Sequence, residues 1–241
     1  MISPEIRKAL EVMEKEGIMG AIKAFSVEVV DEENSEDFNH WKDVWAKEGY
    51  FDNSPEEVEK HYQEYAKNKK DLIAYTNPKI FGKKEVVGTI RVIFNSQEGT
   101  PALNDFQIKE SFQWLKKAEC AEFTLLTVGK RWRKRELMHL PALVLYREAC
   151  RQIKESGTDN IVFITDKKLR NAFENHIGFK VYKTSEEEPQ AREEEKIRGG
   201  KREEGERWYE GGWCAAYYLN YSESLENLRR VNPPLYEFFE I

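Results

Sequence analysis

The period of apolar and polar positions changes several times along the chain, and each change marks an element. "MISPEIRKALEVMEKEGI" scatters apolar residues among charges at helical spacing and predicts an amphipathic N-terminal helix within residues 1–23. "AFSVEVV" (Ala24–Val30) alternates and is β-branched, the signature of a half-buried strand. Phe38, Trp41 and Trp45 recur at helical spacing and form an aromatic stripe that ends at Gly49. "SPEEVEKHYQEYAKN" predicts a further helix, with Ser54 as N-cap, Pro55 at the first helical position and glutamates in the first turn.

A period of two then takes over. "DLIAYT" (Asp71–Thr76) and "EVVGTIRVIF" (Glu85–Phe94) predict a β-hairpin around "NPKIFGKK", whose Pro and Gly suit a turn. "CAEFTLLTV" (Cys120–Val128) is another strand. Apolar positions from Leu137 to Ser156 fall on one helical face closed by Gly157, and Pro141 fits only in a first turn, so the helix is expected to start near His139. "NIVFIT" (Asn160–Thr165) reads as a buried strand of parallel type, followed by a helix over "KKLRNAFENH" and a strand "FKVYKT". "GWCAAYYLNY" is a strand and "SESLENLRR" a short capped helix. The predicted architecture is mixed α/β. Residues 24–241 form one domain, interrupted at about 185–207 by a solvated, mobile loop insertion rich in Glu, Lys and Arg.

Composition narrows the function. The chain has 241 residues, 40% hydrophobic and 12% aromatic, which suits a folded globular protein. Its net charge of −6 argues against general nucleic-acid affinity, which depends on neutralising phosphates. Cys120, Cys150 and Cys214 include no CxxC pair and read as free thiols of a reducing cytoplasm. The four histidines form no metal-ligand spacing with one another or with the cysteines, so no metal is expected. No apolar run is long enough to span a bilayer, and the N-terminus lacks a secretory core, so a cytoplasmic location is expected.

Against this acidic background, "TVGKRWRKRELM" places five basic residues within Lys130–Arg135, directly after a strand and before a helix. A helix start with its outward N–H groups, together with Arg and Lys, favours an anion such as a diphosphate. The bland alternative is a solvated charged turn.

"EFTLLTVGKRWRKRELMHLPALVLYREACRQIKESGTDNIVFIT", with "ENHIGFKVY" after it, resembles the acyl-donor core of the GNAT acyltransferase superfamily. Val128, Trp132 and Arg133 match the motif that leads into its diphosphate-wrapping turn, and Ile177-Gly178-Phe179 matches its closing "LGF". Glu136 and Met138 stand where the family has small residues, and Glu174 where it often has a Tyr general acid. The chain is also similar to the autoinducer synthase and N-acyl amino acid synthase branch, whose turn is poor in glycine and which draws on acyl carrier protein. There Arg91 matches a strand arginine and Glu122 a strand glutamate, Thr124 replaces Ser and Leu125 replaces Arg. Of that branch's Asp-x-Tyr-Asp signature, only Tyr62 remains in Lys60–Gln63. The resemblance covers about residues 24–184. It implies a mostly antiparallel sheet, splayed at its middle and flanked by helices.

The implied activity is transfer of an acyl group from a thioester, either acyl-CoA or the phosphopantetheine of acyl carrier protein, to a small-molecule primary amine such as an amino acid. Glu122 is the candidate general base, directly or through water; a salt-bridged surface carboxylate is the alternative. Its even spacing from Val128 puts both on one strand face unless a bulge intervenes. The backbone of Leu126 and Val128, together with Leu137 and the side chains of Arg133, Lys134 and Arg135, would hold the donor, and the excess of positive charge would also suit an acidic carrier protein. Arg91, Thr124, Trp41 and Trp45 are candidate substrate contacts, the two tryptophans being equally suited to core packing. Cys120 could be a nucleophile but better fits core. A ligand- or partner-binding module without catalysis is the competing reading.

Overall fold

The computed structural model describes residues 4–30, 60, 63–133, 140–185, 207–209 and 212–240. Helices α1 (Pro4–Glu16) and α2 (Gly20–Ala24) turn Ile6, Ala9, Ala21 and Ala24 inward, so the amphipathic N-terminus belongs to the main core. The strands are β1 (Phe25–Val30), β2 (Lys69–Thr76), β3 (Val86–Phe94), β4 (Ala121–Val128), β5 (Asn160–Thr165), β6 (Tyr182–Lys183), β7 (Arg207–Tyr209) and β8 (Gly212–Asn220). They form one sheet of order β1-β2-β3-β4-β5-β8-β6, with β7 hairpinned onto β8. Every pairing is antiparallel except β4 with β5.

Two short helices sit in connections: α3 (Pro78–Phe81) and α4 (Pro101–Asn104). The long helix α5 (Leu140–Glu155) carries Pro141 in its first turn, where the missing N–H costs nothing. Helix α6 (Lys167–Asn171) is capped by the Asp166 side chain and runs into a π-helical turn over Ala172–Ile177. Helices α7 (Tyr221–Val231) and α8 (Pro233–Phe239) close the chain, capped by Asn220 and Asn232.

Helix α5 lies across β1–β4 and buries Leu140, Leu145, Ala149 and Ile153 against Leu72, Ala74, Ile90, Val92 and Phe123. Trp132 is sunk into this core, edge-on to Phe25 and Phe81 at 5.5 and 5.8 Å. The opposite face of the sheet is divided. Over β5 and β8 a smaller cluster joins Ala102, Leu103, Phe106, Ile108, Leu115 and Cys120 to Val162, Ala216 and Tyr218. Over β2, β3 and β4 buried Asp71, Thr89, Arg91, Glu122 and Thr127 are set among Ile73 and Ile93.

The expected strands and the hairpin are present, "FKVYKT" being reduced to two paired residues. The closing "NPPLYEFFEI", to which the sequence pattern assigns no element, forms α8 and buries Phe238 and Phe239. The helical expectations over Phe38–Gly49 and the first part of 54–68 lie outside the described residues, as does most of the 185–207 insertion; Gln63–Asn68 is a 3₁₀ turn.

Candidate active site

The site is built on an irregularity of β4. Thr89 faces Thr127 and Arg91 faces Thr124, so two steps along β3 answer three along β4. The extra residue is taken up around Leu125, whose φ of +50° is left-handed for a non-glycine residue, at a cost on the order of 1–2 kcal/mol. This is a β-bulge, and bulges bend strands. The parallel register of β4 with β5 runs from Ala121–Ile161 to Phe123–Phe163 and ends there. The two strands part at the bulge, which is the splay expected of the sheet.

The bulge also reverses the side-chain alternation. Phe123, Leu126 and Val128 all touch the α5-side core, whereas Glu122 faces Ile93 and Val162, and Thr127 faces Thr89, on the other side. Glu122 and Val128 therefore lie on opposite faces, because the bulge breaks the even spacing that would have aligned them.

On the Glu122 face, two rows of directly opposed residues cross the strands: Lys69, Ile93 and Glu122 in one, Asp71, Arg91 and Thr124 in the next. Opposed residues share a face, and diagonal neighbours lie about 7–8 Å apart, within reach of long side chains. Arg91 Nε donates to Asp71 Oδ1 at 2.7 Å and its Nη2 to Oδ2 at 3.1 Å, a two-point grip of one guanidinium edge. Lys69 Nζ stands 3.9 Å from Asp71 Oδ2. The side chains of Arg91, Asp71 and Lys69 are 0%, 8% and 7% exposed.

Glu122 is fully buried, and its Oε2 accepts from the backbone N–H of Ala102 at 2.7 Å, in the first turn of α4. Asn104 at the end of α4 donates to the Tyr65 hydroxyl at 2.9 Å, which ties the same turn to the 3₁₀ segment Gln63–Asn68. The carboxylate thus stands at a seam. One flank is the apolar cluster with Val162; the other is the charged pair of Arg91 and Asp71. Cys120, two residues before it, is a core thiol. Burial and then the Glu122 charge push its pKa up to about 12, and its Sγ donates to the Leu115 carbonyl.

The basic turn both anchors the chain and presents charge. Arg131 pairs with Glu85 and lies over the Trp132 ring, while Arg133 Nε donates to the Val128 carbonyl; the side chains of Lys130, Arg131 and Arg133 reach solvent at the end of β4. Leu126 and Val128 are half-buried beside them on the diverging strand. Lys134, Arg135 and Leu137, and the candidate substrate contacts Trp41 and Trp45, lie outside the described residues. Glu174, at the family's acid position, pairs with Arg170 at 3.2 Å. Among the described residues no group of three or more His, Cys, Asp and Glu side chains is placed to hold a metal, and no helix is long and apolar enough to cross a membrane.

Asp71 and Lys69 are additions that the linear pattern does not announce. A signal was present all the same: Asp71 and Arg91 are equidistant from Phe81, in the middle of the predicted hairpin turn, so simple hairpin folding pairs them.

A family model, the N-acyl amino acid synthase FeeM, matches residues 41–195. Among solved structures, FeeM from uncultured soil microbes superposes with a TM-score of 0.53 at 13% identity, covering 84% of this chain and 94% of that one. A CoA-dependent acyl-homoserine lactone synthase, BjaI, gives 0.48 at 12% identity with 90% of both chains covered. A Bacillus subtilis acetyltransferase in complex with CoA gives 0.44 at 13%, covering 81% and 98%. No curated protein matches. At these identities the structural likeness is one of fold, that of the GNAT acyltransferases.

Proposed function

The chain belongs to the FeeM N-acyl amino acid synthase family, and from that premise we propose that this amide-forming acyltransferase moves an acyl group from a pantetheine thioester to the α-amine of an amino acid. The observation that carries the reading is the placement of Glu122 beside Arg91 on one buried face, where β4 leaves β5.

The parting strands offer a slot for an extended thioester arm, lined by the backbone of Leu126 and Val128. A pantetheine arm carries amides of its own and can add to such an edge as a strand does. The acceptor's carboxylate would lie toward Arg91 and Lys69, and its ammonium toward Glu122. An ammonium must lose a proton before it can attack, and Glu122 takes that proton directly or through one water. The amine nitrogen then bonds to the thioester carbon. A backbone N–H at the bulge supports the developing oxyanion. The carbon–sulfur bond breaks, and the pantetheine thiolate leaves and picks up a proton. Thr124, opposite Arg91, lines the acceptor side.

Acyl carrier protein is the preferred donor in this reading, with acyl-CoA the second. Lys130, Arg131 and Arg133 reach solvent where the arm would enter, and they suit the acidic face of a carrier as well as its phosphate. One observation favours the competing reading of a binding module: the Glu122 carboxylate already braces the Ala102 N–H.

The experiment measures thiol release from decanoyl-CoA and decanoyl carrier protein with each of twenty amino acids, and weighs the products by mass spectrometry. Catalysis predicts an acyl amino acid product and a Glu122→Gln variant that binds donor normally but turns over 10²–10⁴-fold more slowly, on the order expected for a lost general base. Donor binding without any amide product, in both wild type and variant, establishes the binding module.

A further inference from the structure

The strongest unassigned feature is the buried trio Lys69, Asp71 and Arg91. Asp71 faces Arg91 across the β2–β3 ladder, and Lys69 lies on the same face of β2 two residues away. We propose that Asp71 is a positioning residue for the acceptor: it fixes the guanidinium plane of Arg91 and sets the charge that an incoming carboxylate meets. This rests on the reading that Arg91 receives the amino acid.

Two contacts, Nε to Oδ1 and Nη2 to Oδ2, lock one edge of the guanidinium. A side-on grip of this kind leaves no rotation about the Cδ–Nε bond, so the far edge, with Nη1, has a set direction. That edge points away from Asp71. Across the sheet in that direction come Thr124, directly opposite, and Glu122, on the diagonal. Asp71 thus aims Arg91 at the same place from which Glu122 would take the amine proton. An α-amino acid, with its carboxylate and ammonium separated by one carbon, is the acceptor whose two charges fit such neighbouring, oppositely charged groups.

Charge gives a second argument from the same residues. On the two rows there are two cations, Lys69 and Arg91, and two anions, Asp71 and Glu122. Asp71 touches both cations and offsets part of their combined pull on an incoming carboxylate. An acceptor carboxylate then binds firmly enough to be oriented, without collapsing onto an over-strong cationic pair. Replacing Asp71 by Asn keeps the shape and one acceptor oxygen but removes both the charge and one of the two anchor points. Orientation and charge balance predict different outcomes once Lys69 is also removed. If only charge matters, Asp71→Asn tightens acceptor binding and Lys69→Met reverses that; if orientation dominates, the acceptor KM rises and Lys69→Met does not restore it, so a restored double variant overturns the positioning role.

The test uses the full chain, the donor and amino acid that the wild type turns over best, and three variants: Asp71→Asn, Lys69→Met and the double variant. We expect Asp71→Asn to raise the acceptor KM at least tenfold while the donor KM changes less than twofold, with the double variant remaining impaired. Methylamine, which has no carboxylate to place, is expected to react equally with wild type and Asp71→Asn, a readout that a merely structural loss would not spare. An acceptor KM unchanged in Asp71→Asn, or a uniform fall with amino acid and methylamine alike, overturns the assignment while the acyltransfer reading stands. A wild type that makes no acyl amino acid overturns both.

Discussion

Gly88 tests whether the bulge is what shapes the proposed donor site. It lies on β3 opposite Val128, and a Cβ built there would sit 2.6 Å from the Thr127 carbonyl oxygen and 3.2 Å from Leu145 Cδ1. Leu145 is a side chain and can rotate. The Thr127 oxygen is backbone and cannot move without β4. Ordinary carbon–oxygen contact is about 3.3 Å or more, so Gly88→Ala must push the end of β4 from β3 by several tenths of an ångström. Overpacking of this sort costs about 1–3 kcal/mol, and for a chain of this size each kcal/mol lowers Tm by about 2–4 °C. The displaced segment includes Val128, whose carbonyl holds Arg133. Differential scanning calorimetry and donor KM should therefore move together: a fall in Tm of a few degrees with a donor KM raised several-fold and an unchanged acceptor KM. The control is Gly82→Ala. That residue has φ +82° and nothing within 4 Å of the position a Cβ would take, so alanine there strains only its own turn. It should cost about 1 kcal/mol through the left-handed backbone and leave the donor KM alone. A Gly88→Ala protein that keeps both Tm and donor KM, or a Gly82→Ala protein that loses donor affinity equally, would refute the reasoning.

Further outcomes follow from buried polar groups. Cys120 stays protonated in the folded protein to a pH of about 12, whereas an unfolded thiol ionises near the ordinary value of 9.0. Above pH 9 the unfolded chain therefore binds fewer protons than the native one, so this contribution to stability is complete below pH 9 and falls as pH rises toward 12; urea unfolding at pH 8 and 10.5 should show a steeper loss in wild type than in Cys120→Ala. The Tyr221 hydroxyl donates to the Phe239 carbonyl inside the core. Tyr221→Phe should cost about 1–3 kcal/mol, since the carbonyl left behind is buried, and should leave kcat unchanged; a variant as stable as wild type would mean that the tail is not anchored there.

Much of this molecule is legible in its sequence, and what escapes has a common cause. Local features translate directly: "NIVFIT" is β5 residue for residue, and the awkward Pro141 places the start of α5 correctly because its missing N–H restricts it to the first turn. Glu122 and Arg91 are also recoverable, since a charged residue inside an apolar strand needs a partner or a function. The face on which Glu122 lies is not, because that depends on one inserted residue near Leu125, and nothing in "EFTLLTV" distinguishes a bulged leucine from a regular one. Asp71 escapes for a related reason. Its meaning comes from the strand it faces, and register belongs to pairs of strands rather than to either one. The basic run misleads in a different way: Trp132, in its centre, looks like part of a surface motif but is core.

That last point bears on how a turn poor in glycine can serve a thioester donor. Glycines let a backbone approach a diphosphate closely and adopt the strained angles needed to wrap it. Here the chain leaves β4 through a single glycine, Gly129, and the next turn is pinned by side chains: Trp132 in the core, Arg131 on Glu85 and Arg133 on the Val128 carbonyl. The cations nearest the strand are thus fastened to the fold through part of their donors, and a guanidinium carries five N–H groups, so each can still present charge outward. Lys130, Arg131 and Arg133 thus present a positively charged rim at the end of β4. A rim recognises charge over an extended surface better than it encircles one diphosphate. If the donor is the carrier protein proposed above, its acidic face adds contacts at this rim that free CoA lacks. Raising the salt concentration should then weaken turnover with the carrier-bound donor more steeply than turnover with acyl-CoA, because more charge pairs are screened in that encounter.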